Sequence, residues 1–249
     1  MCHPVLIKIS GVMIVTFIIA SLLTSILPGE VLKYEVRYGF IRAGTLTISV
    51  SRDTCQNQPA YRISMKLRSS PSFSKFYSIN DEFVSCIDTG FTHSLMYVKK
   101  IRERKYSLDL AITYLPESGY VRYSNGKSYP VDHYVFDPLA AVFAMREKGL
   151  SMGETLQIPY HIDGITSAAS VTPLKTKTIK LRWGKYRAFK IRPKLGKKGL
   201  FKGKTVLWIA TKPPFVPLII ESSMPFGKLS ATLTEYKIGR KDIIPNGRE

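Results

Sequence analysis

The chain has 249 residues, 45% of them hydrophobic, with 37 Lys and Arg against 18 Asp and Glu, a formal net charge of +19. That apolar share supports a packed core and excludes a wholly disordered chain, and the length suits one large β domain or two small ones. The basic excess makes a cationic surface that attracts lipid head groups, acidic polymers or nucleic acid without choosing among them.

Near the N-terminus Lys8 precedes an apolar run over residues 11–27, which Pro28 and Gly29 break. A short positive start ahead of an apolar stretch has the form of a secretory signal. At 17 residues the run is longer than most signal cores and shorter than the roughly 20 that span a bilayer. Residues 1–29 are therefore expected to be a signal peptide or a retained membrane anchor, and the protein is expected in the periplasm or cell envelope. Cys2 precedes the run, so it is not the acylated cysteine that follows a lipoprotein signal. Past the export segment only Cys55 and Cys86 remain. In an oxidising compartment they can form one disulfide, the alternative being two free thiols. Neither has a CxxC or Cys/His spacing, so no metal is expected.

Strand patterns dominate from residue 31. Leu32, Tyr34, Val36 and Tyr38 alternate with Lys33, Glu35 and Arg37, a period of two with one apolar and one wet face. Residues 39–44 read as a turn, after which Leu46, Ile48 and Val50 alternate with Thr45, Thr47 and Ser49, completing a hairpin. The next strand sets Tyr61, Ile63, Met65 and Leu67 against Arg62, Ser64, Lys66 and Arg68. Further strands are expected near residues 78–87, 95–101 and 106–114, the last with Tyr106, Leu108, Leu110 and Ile112 inward. Asn125-Gly126 between Tyr123 and Ser128 marks a tight hairpin turn.

One helix interrupts the series. Asp137 suits the N-cap, Pro138 the first turn and Gly149 the C-terminal stop. At about 11 residues it is too short to stand alone. It must dock Leu139, Val142, Phe143 and Met145 on a sheet. Strands then resume over 155–162, 170–183, 186–192, 205–211, 217–222 and 228–238. Residues 193–204 read as an exposed basic hairpin tip. About a dozen strands with short turns make a meander, and a sheet that long curls, splits or closes. The predicted fold is mainly β: a large curved antiparallel sheet, half-barrel or barrel-like, with one short helix packed on it. A single domain is expected over 30–239, with a polar tail at 240–249.

The stretch Leu32-Lys-Tyr-Glu-Val-Arg-Tyr-Gly-Phe-Ile-Arg-Ala-Gly-Thr-Leu46 resembles the opening of the bacterial domain-of-unknown-function family 3108. Three further stretches are similar to it: Ser72-Phe-Ser-Lys-Phe-Tyr with Asp81, Phe136-Asp-Pro-Leu-Ala-Ala-Val-Phe-Ala-Met-Arg146, and Leu207-Trp-Ile-Ala-Thr211 with Val216-Pro-Leu and Phe226-Gly-Lys-Leu. The resemblance implies an exported protein with a large antiparallel sheet. By looser analogy it implies a fold like the half-barrels of bacterial lipoprotein carriers, although fold does not fix function. Lys212 stands where the family pattern has an acid.

Catalytic patterns are scarce. His161 and Asp163 form an H-x-D pair at a strand end, where residues two apart share a face. Ser72 to Lys75 lacks the companion motifs of a Ser-x-x-Lys enzyme. Asp81 and Glu82 point to alternate faces, a poor geometry for acid–base work. Gly196 to Gly203 has no strand–loop–helix context for phosphate. The protein is expected not to be an enzyme and to need no cofactor. Export argues against nucleic acid as the partner of its basic stripes. A lipid or amphiphile, or an anionic membrane surface or envelope polymer, suits them better. Two sets of residues carry those expectations. Leu46, Ile48, Ile63, Met65, Leu108, Leu110, Phe143 and Trp208 are the candidate ligand-cavity lining if the sheet interior is hollow, and core if the helix fills it. Lys194, Lys197, Lys198, Lys202 and Lys204 are the candidate anionic-surface contacts. The leading expectation is a non-catalytic binding or carrier module for an apolar or amphiphilic envelope ligand. A structural or assembly protein acting through protein contacts is the alternative, and an enzyme on cell-wall or lipid substrates a third.

Overall fold

A computed structural model describes residues 27–131, 134–195, 205–224, 227–239, 241–243 and 245. The expected signal or anchor falls almost wholly outside these residues, as do Lys197, Lys198, Lys202 and Lys204 of the basic tip.

The first eight strands follow one another as an antiparallel meander: β1 (Glu30–Tyr38), β2 (Ile41–Cys55), β3 (Gln58–Ser69), β4 (Asn80–Asp88), β5 (Ser94–Glu103), β6 (Tyr106–Leu115), β7 (Tyr120–Tyr123) and β8 (Ser128–Pro130). A single helical turn, α1 (Pro71–Ser74), links β3 to β4, and the Ser70 hydroxyl accepts from the Phe73 N–H as its cap. The chain then leaves the sheet through α2 (Pro138–Lys148) and a separate hairpin, β9 (Leu156–Ile162) and β10 (Ile165–Val171). It re-enters at the far edge as β11 (Lys175–Leu181) and β12 (Gly184–Ile191). It returns through β14 (Thr205–Ala210), β15 (Pro217–Met224) and β16 (Gly227–Ile238) to pair with β1. The long sheet is open, with β11 and β8 at its two edges and a small β17 (Lys241–Asp242) beside β16. The two-residue β13 (Lys194–Leu195) joins β9 and β10 in a second, three-stranded sheet.

Alternation produces this sheet as expected. Leu32, Tyr34 and Val36 of β1 are buried, whereas Lys33 is exposed and paired with Glu235 across the ladder at 2.9 Å. Such opposite-charge cross-strand pairs support the sheet. Gly44 explains the Gly of the opening motif. It lies at a register shift between β1 and β2, and a Cβ there would sit 2.1 Å from the Arg68 carbonyl oxygen of β3. Only glycine tolerates that approach of one backbone to another.

The helix ends where the sequence places them. The Asp137 carboxylate accepts from the Leu139 and Ala140 N–H groups at 2.9 Å and from the hydroxyls of Ser85 and Ser94 at 2.6 Å. Gly149 follows the last turn with φ +82°. Leu139, Ala140, Phe143, Ala144, Met145 and Arg146 are all buried, so the helix is enclosed rather than laid on a surface. It contacts β4 on the long sheet and β9 on the small one. The concavity of the long sheet is therefore filled by this helix.

Four sequence expectations are corrected. The turn at 39–44 is confined to Gly39 and Phe40, and β2 is fifteen residues long. Tyr106 is 56% exposed instead of inward. The strand expected over 170–183 starts only at Lys175, because Pro173 between Val171 and Lys175 interrupts the ladder. A strand not expected, β10, precedes it, turns back on β9 through Asp163 and Gly164, both in the left-handed region, and leaves the main sheet with β9 for one of their own.

Candidate functional site

The principal cavity lies where α2 meets the second sheet. Pro138, Ala141, Val142 and Met145 form one wall, Ile158 and Tyr160 of β9 with Ala169 and Val171 of β10 the opposite one, and Pro193, Leu195 and Leu207 close the side. The register pairs Ile158 with Ala169 and Leu156 with Val171, so alternate residues of both strands look toward the helix. Two alanines, Ala141 on the helix and Ala169 on the strand, stand where larger side chains would meet, and space remains between them. The cavity measures about 50 Å³ and opens to the surface. That is room for about three or four water-sized groups, the end of an alkyl chain and not a whole lipid. Among the described residues no titratable side chain apart from Tyr160 lines it, and the chemistry of this lining is apolar burial, about 25 cal/mol per Å² of apolar surface covered.

The histidine–aspartate pair sits close by but does not act together. His161 is buried, with Nδ1 2.9 Å from the Thr166 hydroxyl and Nε2 3.0 Å from the Tyr123 hydroxyl. Tyr123 in turn accepts from the Gly164 N–H at 3.0 Å. Burial pulls the imidazole down to about 4, so at neutral pH it is uncharged and both ring nitrogens are engaged. Asp163, expected on the same face, is turned away by its left-handed backbone and accepts from Lys99 Nζ at 2.8 Å. The group ties the β9–β10 hairpin to β7, and neither a free base nor an open metal position remains in it. His93 lies 3.7 Å from Asp88 and stacks on Tyr134 near the surface. Asp81 accepts from the Arg102 N–H at 2.8 Å, and burial first, then the nearby Glu103 charge, pushes its carboxyl up to about 6.

The eight residues expected to line a cavity do not meet at one. Leu46, Ile48, Ile63 and Phe143 lie in the packed core around the helix. Met65 and Leu110 are half-buried against it, and Leu108 is half-buried on β6. Trp208 is buried on β14 with Lys177 and Lys190 over its ring at 5.5 and 5.1 Å. Lys194 is exposed on β13, between Pro193 and Leu195 of the cavity wall. Cys55 and Cys86 are bonded to each other, so with Asp53 nearby they offer a metal no thiolate. Sequence reasoning missed this lining because it comes from one helix and four short strands. The sequence signal was present as two alanines, a composition indistinguishable from ordinary core.

An open antiparallel sheet wrapped on one enclosed helix, with a small apolar cavity beside it, defines a barrel-like β protein. The family of proteins of unknown function DUF3108 matches residues 33–234, and the chain belongs to it. No curated protein matches. Among solved structures, the chain is similar to the beta-barrel-like protein of domain of unknown function DUF1849 from Brucella abortus. The TM-score is 0.56 at 11% identity, over 85% of this chain and 98% of that one. A DUF1089 family protein from Pseudomonas aeruginosa is similar at TM-score 0.41 and 12% identity, over 70% of this chain and 87% of that one. The first likeness supports the barrel-like fold.

Proposed function

We propose that this protein is a non-catalytic binding module of the cell envelope that takes the apolar end of an amphiphile into the cavity between α2 and the β9–β10 hairpin. The observation that carries the reading is the apolar lining of that cavity, in which the small side chains of Ala141 and Ala169 leave room between the helix and the second sheet. The apolar segment over residues 11–27 and the Cys55–Cys86 disulfide fit an exported protein in an oxidising compartment. The engaged ring nitrogens of His161, and a lining that among the described residues is apolar apart from Tyr160, fit binding rather than catalysis.

The test uses the full chain and a single-chain alkyl probe, decanoate, titrated by calorimetry, with mass spectrometry of an organic extract of the purified protein. The wild type is expected to bind the probe and to release a co-purified amphiphile. Ala141→Leu and Ala169→Leu, which fill the cavity, should reduce probe affinity at least several-fold while leaving the thermal transition in place. Unchanged probe binding in both filled variants sinks the reading.

A further inference from the structure

The basic residues are concentrated. From Gly164 to Ile220 the chain carries 14 Lys and Arg and no Asp or Glu, so this stretch holds most of the net charge of +19. Its described part includes one edge of the long sheet, where β11 is the last strand and β12 its partner. The register of that hairpin sets Lys180 directly opposite Lys185, and Lys175 opposite Lys190. Like charges facing each other across an antiparallel pair destabilise it. Elsewhere in the sheet cations face or share a carboxylate: Lys66 faces Glu82, Lys100 faces Asp109 and Lys33 faces Glu235, and where Arg37 faces Arg42 both pair with Glu35. Among the described residues no carboxylate forms an ion pair with Lys180, Lys185 or Arg187, and all three side chains are exposed. Arg187 opposes Thr178, two positions along from the Lys180–Lys185 pair, so the three cations share one face of the hairpin.

Protection of an edge strand from aggregation accounts for a lysine on β11. It does not account for cations on β12, which is paired on both sides, nor for placing them against one another. The opposite edge, β8, is guarded without charge by a strand of three residues ending at Pro130. The hairpin turn adds an aromatic group: Trp183, with the Arg182 guanidinium 4.7 Å from its ring centre. Leu174, at the other end of β11, is 70% exposed. Tryptophan beside basic side chains is the combination that settles at a lipid–water interface, with the ring at head-group depth and the charges on phosphate. Trp183 is half-buried against the core, and an acidic polymer in solution would use the cations and leave its exposed part and Leu174 without a role.

We propose that the β11–β12 hairpin docks on an anionic phospholipid surface, lipid phosphates bridging the facing cations Lys180, Lys185 and Arg187 and Trp183 lying at head-group level. An anion between Lys180 and Lys185 removes the repulsion that the free protein carries. The docking does not require the cavity to be occupied.

The full chain is sedimented with vesicles of phosphatidylcholine alone and of phosphatidylcholine mixed with phosphatidylglycerol. The wild type pellets more with the anionic vesicles, and high salt abolishes the excess. Lys180→Glu is the decisive variant. It places opposite charges across the hairpin, so its thermal transition rises while its partition onto anionic vesicles falls, by about five-fold for each basic charge lost and further for the reversal. Trp183→Ala reduces partition onto both vesicle types. Equal pelleting with both vesicles, an unchanged partition for Lys180→Glu, or capture by dextran sulfate without binding to anionic vesicles overturns the proposal. Ala141→Leu and Ala169→Leu serve as controls that keep full partition, so this outcome and that of the cavity reading are read separately.

Discussion

Glu30 and Arg146 show how much one residue pair can hold. Both are buried, and Arg146 donates to the Glu30 carboxylate through Nη1 at 3.0 Å and Nη2 at 2.6 Å and to the Pro214 carbonyl through Nε at 3.1 Å. The pair fastens the last turn of α2 to the first residue of β1, across 116 positions of sequence. Arg146→Met leaves the Glu30 carboxylate buried without its partner and is expected to cost about 3–5 kcal/mol in urea unfolding, most of it recovered by adding Glu30→Gln. Little loss in the single variant would show that water reaches the carboxylate. His161 gives a pH signature. Its ionisation lies at about 4 in the folded chain and near 6.5 in the unfolded one, so between those values the unfolded chain binds the extra proton. Its contribution is whole above pH 6.5 and is lost as pH falls toward 4, by about 2 kcal/mol. Asp81, pushed up to about 6, acts in the opposite direction, gaining stability as pH falls through that value. The comparison is therefore wild type against His161→Gln, in urea midpoints from pH 7 to pH 4.5. Parallel curves would refute the assignment.

At the scale of elements, most of the architecture is anchored at strand ends. The Cys55–Cys86 bond joins the end of β2 to β4 over a separation of 31 residues. Closing a loop of that length restricts the unfolded chain by about 3–4 kcal/mol. The Cys55→Ala, Cys86→Ala double variant should lose about that much in chemical denaturation, and reduction of the wild type should match it. A loss below about 1 kcal/mol would mean the denatured chain is already held close by residual structure. The helix was legible in the sequence because its capping signals are local: Asp137, Pro138 and Gly149 all act within one turn of an end. Its burial on nearly every side was not, because the partner that lets Arg146 be buried, Glu30, lies 116 positions away in the sequence. The β10 strand was missed for a related reason. Its alternation, Ile165 to Val171, mixes Ser, Ala and Thr and carries too little apolar contrast to register as a strand.

For the whole molecule, the uneven charge is the dominant electrostatic fact. With a net charge of +19 and seven cations between Lys175 and Lys190 on the β11–β12 hairpin, the folded chain repels itself along that edge. Added salt shortens the Debye length from about 30 Å at 0.01 M to about 8 Å at 0.15 M. The thermal transition, followed by circular dichroism, should therefore rise with sodium chloride over that range. A flat or falling transition would mean that the repulsion is already neutralised by bound anions or offset by the attractive cross-strand pairs. The strand pattern and fold class were settled by the sequence alone, because the pleat repeats every two residues and needs only near neighbours to declare which face is apolar. Family membership could be read from motifs whose roles are local in the same way, as at Gly44 and Asp137. The tertiary structure alone decided that β16 closes on β1, that the helix fills the concavity, and that Ala141 and Ala169 leave a gap beside it. Those outcomes depend on side chains far apart in the chain meeting across a shared interior, and no local pattern records which distant surface a residue will touch.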